Sequence, residues 1–181
     1  MHDTPSTSGD SLTPDDLREL IAPIAQAIAE RPFDASLEAW LHHTYGPQTP
    51  AGTALFESCR AGVAAGWLCA REAAGIRYGR IFKPDPMLAG FSVDVVDMAD
   101  IAGPHHVHPL GEIDFVMPQT EGALFDGRGA GWVVYGPGSA HSPTVSAGRE
   151  STIAASWFWT TTLFPAWARS VPRLGRGFGP G

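Results

Sequence analysis

Apolar positions along the chain change period once. Leu17, Leu20, Ile21, Ile24 and Ile28 recur every three or four residues, the spacing of one helix face. Thr13-Pro14-Asp15-Asp16 predicts where that helix starts: a capping hydroxyl, a proline suited to the first turn, and acids at the positive end of the dipole. Pro23 inside the stripe predicts a bend or an interruption. A second helix is predicted from an Asp34 cap through Leu37, Trp40 and Leu41 to Gly46-Pro47. A third runs from Thr49-Pro50 through Leu55, Phe56, Cys59 and Val63 to near Gly66. After Gly75 the period becomes that of a strand, in Ile76-Tyr78-Phe82 and then Phe91-Val93-Val95. Shorter strands are predicted at 112–117, 122–126, 131–135, 143–146 and 151–160, separated by Gly, Pro or Asp-Gly turns. The predicted class is therefore α+β: a disordered leader over 1–12, a helical segment over 13–70, an antiparallel β unit over 76–160, and an irregular tail over 169–181.

Composition narrows this picture. A chain of 181 residues, 44% hydrophobic and 17% charged, suits one globular domain with a modest extension. Its 21 glycines and 16 prolines favour turn-rich β structure over a helical bundle. A net charge of −7 without any Lys/Arg cluster argues against nucleic acid as a partner. The polar N-terminus does not read as a signal peptide, and no apolar run has the length of a membrane span, so a cytoplasmic protein is expected. Cys59 and Cys69, both in helical sequence, are expected to be reduced and buried.

The candidate chemistry is concentrated in one region. Four of the seven histidines lie between 105 and 141. On a strand, His106 and His108 project from the same face, and the Pro109–Gly111 turn lets Glu112 return to the same point. His141 arrives from a separate hairpin after the turn at 136–140. Three imidazoles and a carboxylate suit one divalent ion (Fe, Mn, Ni, Co or Zn) and leave positions open for water or substrate. His105 has the opposite parity, which favours a surface position or an outer-shell role in proton transfer. His42 and His43, on the second predicted helix, read as capping or surface residues. Strict alternation places Asp114 on the same face as Glu112. There it could orient a ligand or move protons, or it could be a strand-edge aspartate in water.

These residues resemble the cupin superfamily. His106-x-His108-x3-Glu112 matches the ligand core of its first motif, and Gly131-x5-Pro137 followed by Gly138-x2-His141 matches its second. The departures fall on turns and strand ends: Gly103 and Gly122 are displaced, and Val145 stands where asparagine is usual. A longer pattern is more specific: EAWL, TYG, GWLC, REAAGIRYGRIFKP, GFSVDVVDMADIAGPHHVHPLGEIDFVMP and GAGWVVYGPGSAHSPTVS. Over roughly 35–148 it is similar to the hydroxylaminobenzoate lyases of bacterial nitrobenzoate degradation.

The resemblance implies helices packed on a cupin-type antiparallel β-barrel, a homodimer, and conversion of 4-hydroxylaminobenzoate to protocatechuate with release of ammonia. A small aromatic carboxylate needs a cationic anchor, for which Arg77, Arg80 and Lys83 are candidates, with surface charge preferred for Lys83. Tyr78, Trp132 and Tyr135 are candidates to sandwich the ring or to fill the core. Asp114 and His105 are the candidates for proton transfer. The same ligand set would also serve a cupin dioxygenase, and the same fold a non-catalytic small-molecule binding module.

Overall fold

A computed structural model of the chain describes residues 12–147 and the backbone of 152–158. The predicted leader and tail lie outside the described residues. In chain order the elements are α1 (Pro14–Ile28), α2 (Ala35–Tyr45), α3 (Pro50–Ala64), β1 (Arg71–Ala73), β2 (Ile76–Phe82), a 3-10 turn (Pro86–Leu88), β3 (Ser92–Met98), β4 (His106–His108), β5 (Glu112–Pro118), β6 (Leu124–Phe125), β7 (Gly131–Tyr135), β8 (Ser139–His141), β9 (Val145–Ser146) and β10 (Thr152–Phe158).

The helices begin where their caps predict. Thr13 and Asp16 form a reciprocal capping box at the start of α1. Asp34 Oδ1 accepts from the N–H groups of Ser36 and Leu37 at 2.9 and 3.1 Å, and Thr49 Oγ1 accepts from Gly52 N–H at 3.1 Å. Pro23 does not interrupt α1, which runs unbroken to Ile28. It lies on the exposed face, while Leu17, Ile21, Ile24 and Ile28 are buried on the other. Burying each of those four aliphatic side chains contributes about 1.5–3 kcal/mol, enough together to offset one missing backbone bond.

Six strands form one antiparallel sheet in the order β1-β2-β3-β10-β5-β7, so the last strand in sequence inserts between β3 and β5. Two short antiparallel ladders, β4–β8 and β6–β9, complete the β structure. Among the described residues the ladders do not close into a continuous hydrogen-bonded barrel. One face of the large sheet packs on the helices through Val93, Val95, Ile113, Phe115, Met117 and Trp132. The inner face carries a second apolar cluster of Ile76, Met98, Val116, Phe125, Val133 and Val145. Along that inner face the residues become polar toward one end: Val96 and Val116 are followed by Asp94 and Asp114, then by Ser92 and Glu112. The site lies at this polar end.

Helix α2 covers the β7 edge. Glu38 Oε2 accepts the edge N–H of Val134 at 2.9 Å, its Oε1 pairs with Arg128 at 2.7 Å, and Trp132 Nε1–H donates to the Tyr45 carbonyl at 2.8 Å. An edge donor that could have paired with another chain is thereby satisfied within the molecule. Among the described residues, no helix is long and apolar enough to cross a membrane.

Cys59 and Cys69 are free and buried, and burial pushes both thiols up to about 12. Very little reactive thiolate is then present at neutral or mildly alkaline pH. A disulfide-exchange reagent such as Ellman's should therefore find neither cysteine in the native protein and both after denaturation. Rapid reaction of the native protein would contradict this packing.

Candidate metal centre

The site is assembled by three local devices. On β4, His106 and His108 are two residues apart and share a face, and β8 pairs with β4 so that His106 stands directly opposite His141. After β4, the chain turns through Pro109–Gly111, closed by the Gly111 N–H to the His108 carbonyl at 3.1 Å. Glu112 then opens β5. Gly111 has φ +91°, and a Cβ there would lie 2.6 Å from a Phe33 ring carbon and 2.7 Å from the Tyr135 carbonyl oxygen. Only glycine permits that turn at that distance.

The result is a compact cluster. The ring centroids of His106, His108 and His141 are 4.5, 4.8 and 5.0 Å apart. One ligand atom from each of these histidines and from Glu112 lies within 4.8 Å of all the others. His108 Nδ1 is 2.9 Å from Glu112 Oε2, and His141 Nε2 is 3.8 Å from Glu112 Oε1. Two of the rings have their other nitrogen tied back: His106 Nδ1 lies 3.0 Å from the Pro104 carbonyl, and His141 Nδ1 lies 2.6 Å from Asp126 Oδ2. The Nε2 atom is left as the nitrogen available to a cation in both.

A divalent cation fits this donor set. Glu112 Oε2 and His141 Nε2 are buried and make no aligned hydrogen bond, a costly state for a carboxylate unless positive charge is supplied. Burial, with the nearby Asp94 and Asp126 charges, pushes Glu112 up to about 8, and burial, with the neighbouring imidazoles, pushes His106 and His108 down to about 4. The imidazoles of His106 and His108 are thus held neutral, as ligation requires. Three nitrogens and one oxygen suit Fe(II), Mn(II), Co(II), Ni(II) or Zn(II).

The other expected residues are distributed unevenly. Asp114 shares the inner face with Glu112 and is fully buried, so it is not a strand-edge aspartate in water. Arg80 lies in the same cross-sheet row as Asp114, with Asp94 and the position of Ser156 between them. Its Nε is 3.1 Å from Asp94 Oδ1, and its Nη2 is 3.2 Å from Asp94 Oδ2. Arg77 is not brought to the site: it has the opposite parity and pairs with Asp97 at 3.1 Å on the helix-facing side. Lys83 and His105 are exposed. Tyr78 is half-buried on the inner face opposite Val96. Trp132 is buried on the helix side and packs on Phe115 at 4.7 Å, so it cannot sandwich a ring at the site. His42 packs against Gly131 from α2, and His43 is exposed. Tyr135 stacks on His108 at 6.1 Å and meets His141 at a tilt at 4.4 Å, and its hydroxyl donates to Asp126 at 2.7 Å.

Two acids at the site escape the sequence reading. Asp94 interrupts the apolar strand Val93–Val96, and a charge at a buried parity was the available signal. Burial raises it to about 6 despite the Arg80 hydrogen bonds. Asp126 sits in an Asp-Gly turn, where aspartate is ordinary, and nothing local marks it as more than a turn residue.

Fold and site together define the class: an α+β protein whose antiparallel sheet carries three histidines and a glutamate in a metal-ligand arrangement. The chain belongs to the 4-hydroxylaminobenzoate lyase family, whose model matches residues 19–155, and it is accordingly an enzyme, a lyase. It is 34% identical over 145 residues to a 4-hydroxylaminobenzoate lyase of Nocardioides sp. (strain LMS-CY), covering 75% of this chain and 86% of that one. To the lyase of that name from Pseudomonas putida it is 31% identical over 151 residues, covering 74% and 86%. Among solved structures, it is similar to the DMSP lyase DddQ of Ruegeria pomeroyi DSS-3, with TM-score 0.41, 18% identity and coverage of 84% and 96%. It is also similar to an RmlC-like cupin protein of Ralstonia eutropha JMP134, with TM-score 0.36, 19% identity and coverage of 49% and 59%.

Proposed function

We propose that this enzyme converts 4-hydroxylaminobenzoate to protocatechuate and ammonia at a divalent metal centre held by His106, His108, Glu112 and His141. The large sheet and the two short ladders would be the walls of a cupin-type barrel around it. The observation that carries the proposal is the convergence of those four side chains within 4.8 Å in a member of this family. The reaction balances without an oxidant. One water is consumed; the N–O bond, the C–N bond and one ring C–H bond break, two ring C–O bonds form, and one hydrogen from the ring and one from water pass to nitrogen. The two electrons that reduce nitrogen to ammonia come from the ring. A bound ion supplies Lewis acidity toward the N–O group.

The chain's own residues bind and position the substrate and move protons. Asp114, buried one alternation from Glu112 on the same face, carries protons between ring, nitrogen and water in this reading. The exposed His105 is left out of that role. Arg80 is three strands from Asp114, about 14 Å between backbones. Its guanidinium leans over Asp94, one strand closer to the ligands. An arginine side chain and a para-substituted benzoate together span such a distance, so Arg80 anchors the substrate carboxylate and Tyr78, two residues along the same face and one row farther from Glu112, flanks that carboxylate end. Tyr135 holds the ligand histidines rather than the substrate.

Chelation should abolish ammonia and protocatechuate formation from 4-hydroxylaminobenzoate, and added metal should restore both together. Turnover that persists in metal-free protein would sink the proposal. Arg80→Ala should raise KM about ten- to hundred-fold through loss of a charge-assisted pair, with metal content unchanged. An unaltered KM would remove Arg80 from the substrate site.

A further inference from the structure

We infer that Asp126 is a positioning residue that fixes the tautomer of His141, so that its Nε2 lone pair is presented to the metal. The inference rests on the metal centre proposed above and adds to it a residue that touches neither ion nor substrate.

Asp126 lies at the tip of a two-residue turn closed by reciprocal backbone hydrogen bonds between Phe125 and Arg128, at 2.8 and 2.9 Å. Asp126 and Gly127 both have positive φ, at 50° and 75°, as such a turn requires. An aspartate there usually serves its own turn, but here both carboxylate oxygens point away. Oδ1 accepts the Thr144 N–H at 2.7 Å. Oδ2 accepts the Tyr135 hydroxyl at 2.7 Å and faces His141 Nδ1 at 2.6 Å. The backbone answers in kind, with the Asp126 N–H donating to the Thr144 carbonyl at 2.8 Å.

These bonds determine the chemistry. A carboxylate has no proton to give, so His141 Nδ1 must be the donor, and in a neutral imidazole the other nitrogen is then a bare lone pair. That nitrogen is the buried, unbonded Nε2 facing Glu112. Tyr135 donates to the same carboxylate oxygen while its ring lies against His141 and His108. Asp126 therefore locks two sides of the ligand cage at once. It connects the β6–β7 turn to a ligand on β8, elements that no ladder joins directly.

Asp126→Asn tests the idea with little risk to the fold, because asparagine before glycine suits this turn equally well. The Thr144 N–H keeps the amide oxygen at the Oδ1 position, which puts the amide NH2 where Oδ2 was. Nδ1 of His141 must then accept, and its proton moves to Nε2, the metal-facing atom. In metal-free protein labelled with 15N-histidine, wild type should show His141 protonated at Nδ1, and Asp126→Asn should show it protonated at Nε2. Co(II) affinity, measured by chelator competition, should fall roughly 10–100-fold, with thermal unfolding close to wild type. Asp126→Gly keeps the turn but removes the carboxylate, so a mixture of the two tautomers and a smaller loss are expected. Unchanged tautomer and affinity in Asp126→Asn, with Co(II) bound normally by wild type, would overturn this inference alone. A wild type that takes up no Co(II) would overturn the metal centre itself, and with it a role for Asp126 toward an ion.

Discussion

His106→Ala is expected to leave a folded protein with little bound metal and no measurable turnover. His106 stands at the rim on β4, only partly buried, and its recorded bond ties it to its own loop at Pro104. Losing the ring therefore removes little packing and leaves the two cores untouched. It does remove one of the four proposed ligands; since loss of an outer partner alone typically costs roughly 10–100-fold in metal affinity, the direct loss should exceed that range. Metal content after gel filtration, read beside far-UV circular dichroism, checks both halves. Full occupancy in a folded His106→Ala protein would show that the ion, if any, sits elsewhere.

Gly111→Ala should be strongly damaging for the addition of a single methyl group. At φ +91° the added Cβ would meet the Phe33 ring at 2.6 Å and the Tyr135 carbonyl at 2.7 Å. Backbone strain and overpacking each cost about 1–3 kcal/mol, and here they act together. Because Gly111 joins the His108 turn to Glu112, relief of the clash must also move a ligand. Gly122→Ala is the matched control. Its φ is +83°, but nothing lies within 4 Å of the new Cβ, so only the backbone part of the cost applies. Urea midpoints should rank wild type, Gly122→Ala, then Gly111→Ala, and metal affinity should fall only in the last. Equal effects of the two substitutions would mean that the contacts around Gly111 are not tight.

Much of this architecture was legible because local physics wrote it. Thr13, Asp34 and Thr49 announce their helices through hydroxyl and carboxylate caps, and the shift of apolar period after Gly75 marks the passage from helix to strand. The alternation Glu112-Ile113-Asp114-Phe115 sorted inner from outer residues correctly, since one face of that strand packs on helices and the other does not. What stayed hidden is non-local. No periodicity tells β10 to insert between β3 and β5, or β4 to pair with β8. Pro23 misled because the cost of a proline on an exposed helix face is outweighed by the buried stripe opposite. Arg77 and Arg80 stand three apart on one strand, so alternation alone already separates them, one to Asp97 on the helix side and the other to Asp94 on the inner face. Asp126 went unseen because a turn-forming dipeptide is a sufficient local explanation for an aspartate whose partners lie 9, 15 and 18 residues away.

The central claim is that a metal-dependent lyase releases ammonia from an aryl hydroxylamine using water and no external oxidant. The most direct measurement compares turnover of 4-hydroxylaminobenzoate in air with turnover under strict anaerobiosis in 18O-labelled water, following ammonia, protocatechuate and the position of the label. The account predicts equal rates, one ammonia per protocatechuate, and label from water in at least one of the two new ring hydroxyls. Strict dependence on oxygen, with no label from water in the product, would contradict it and identify a dioxygenase instead.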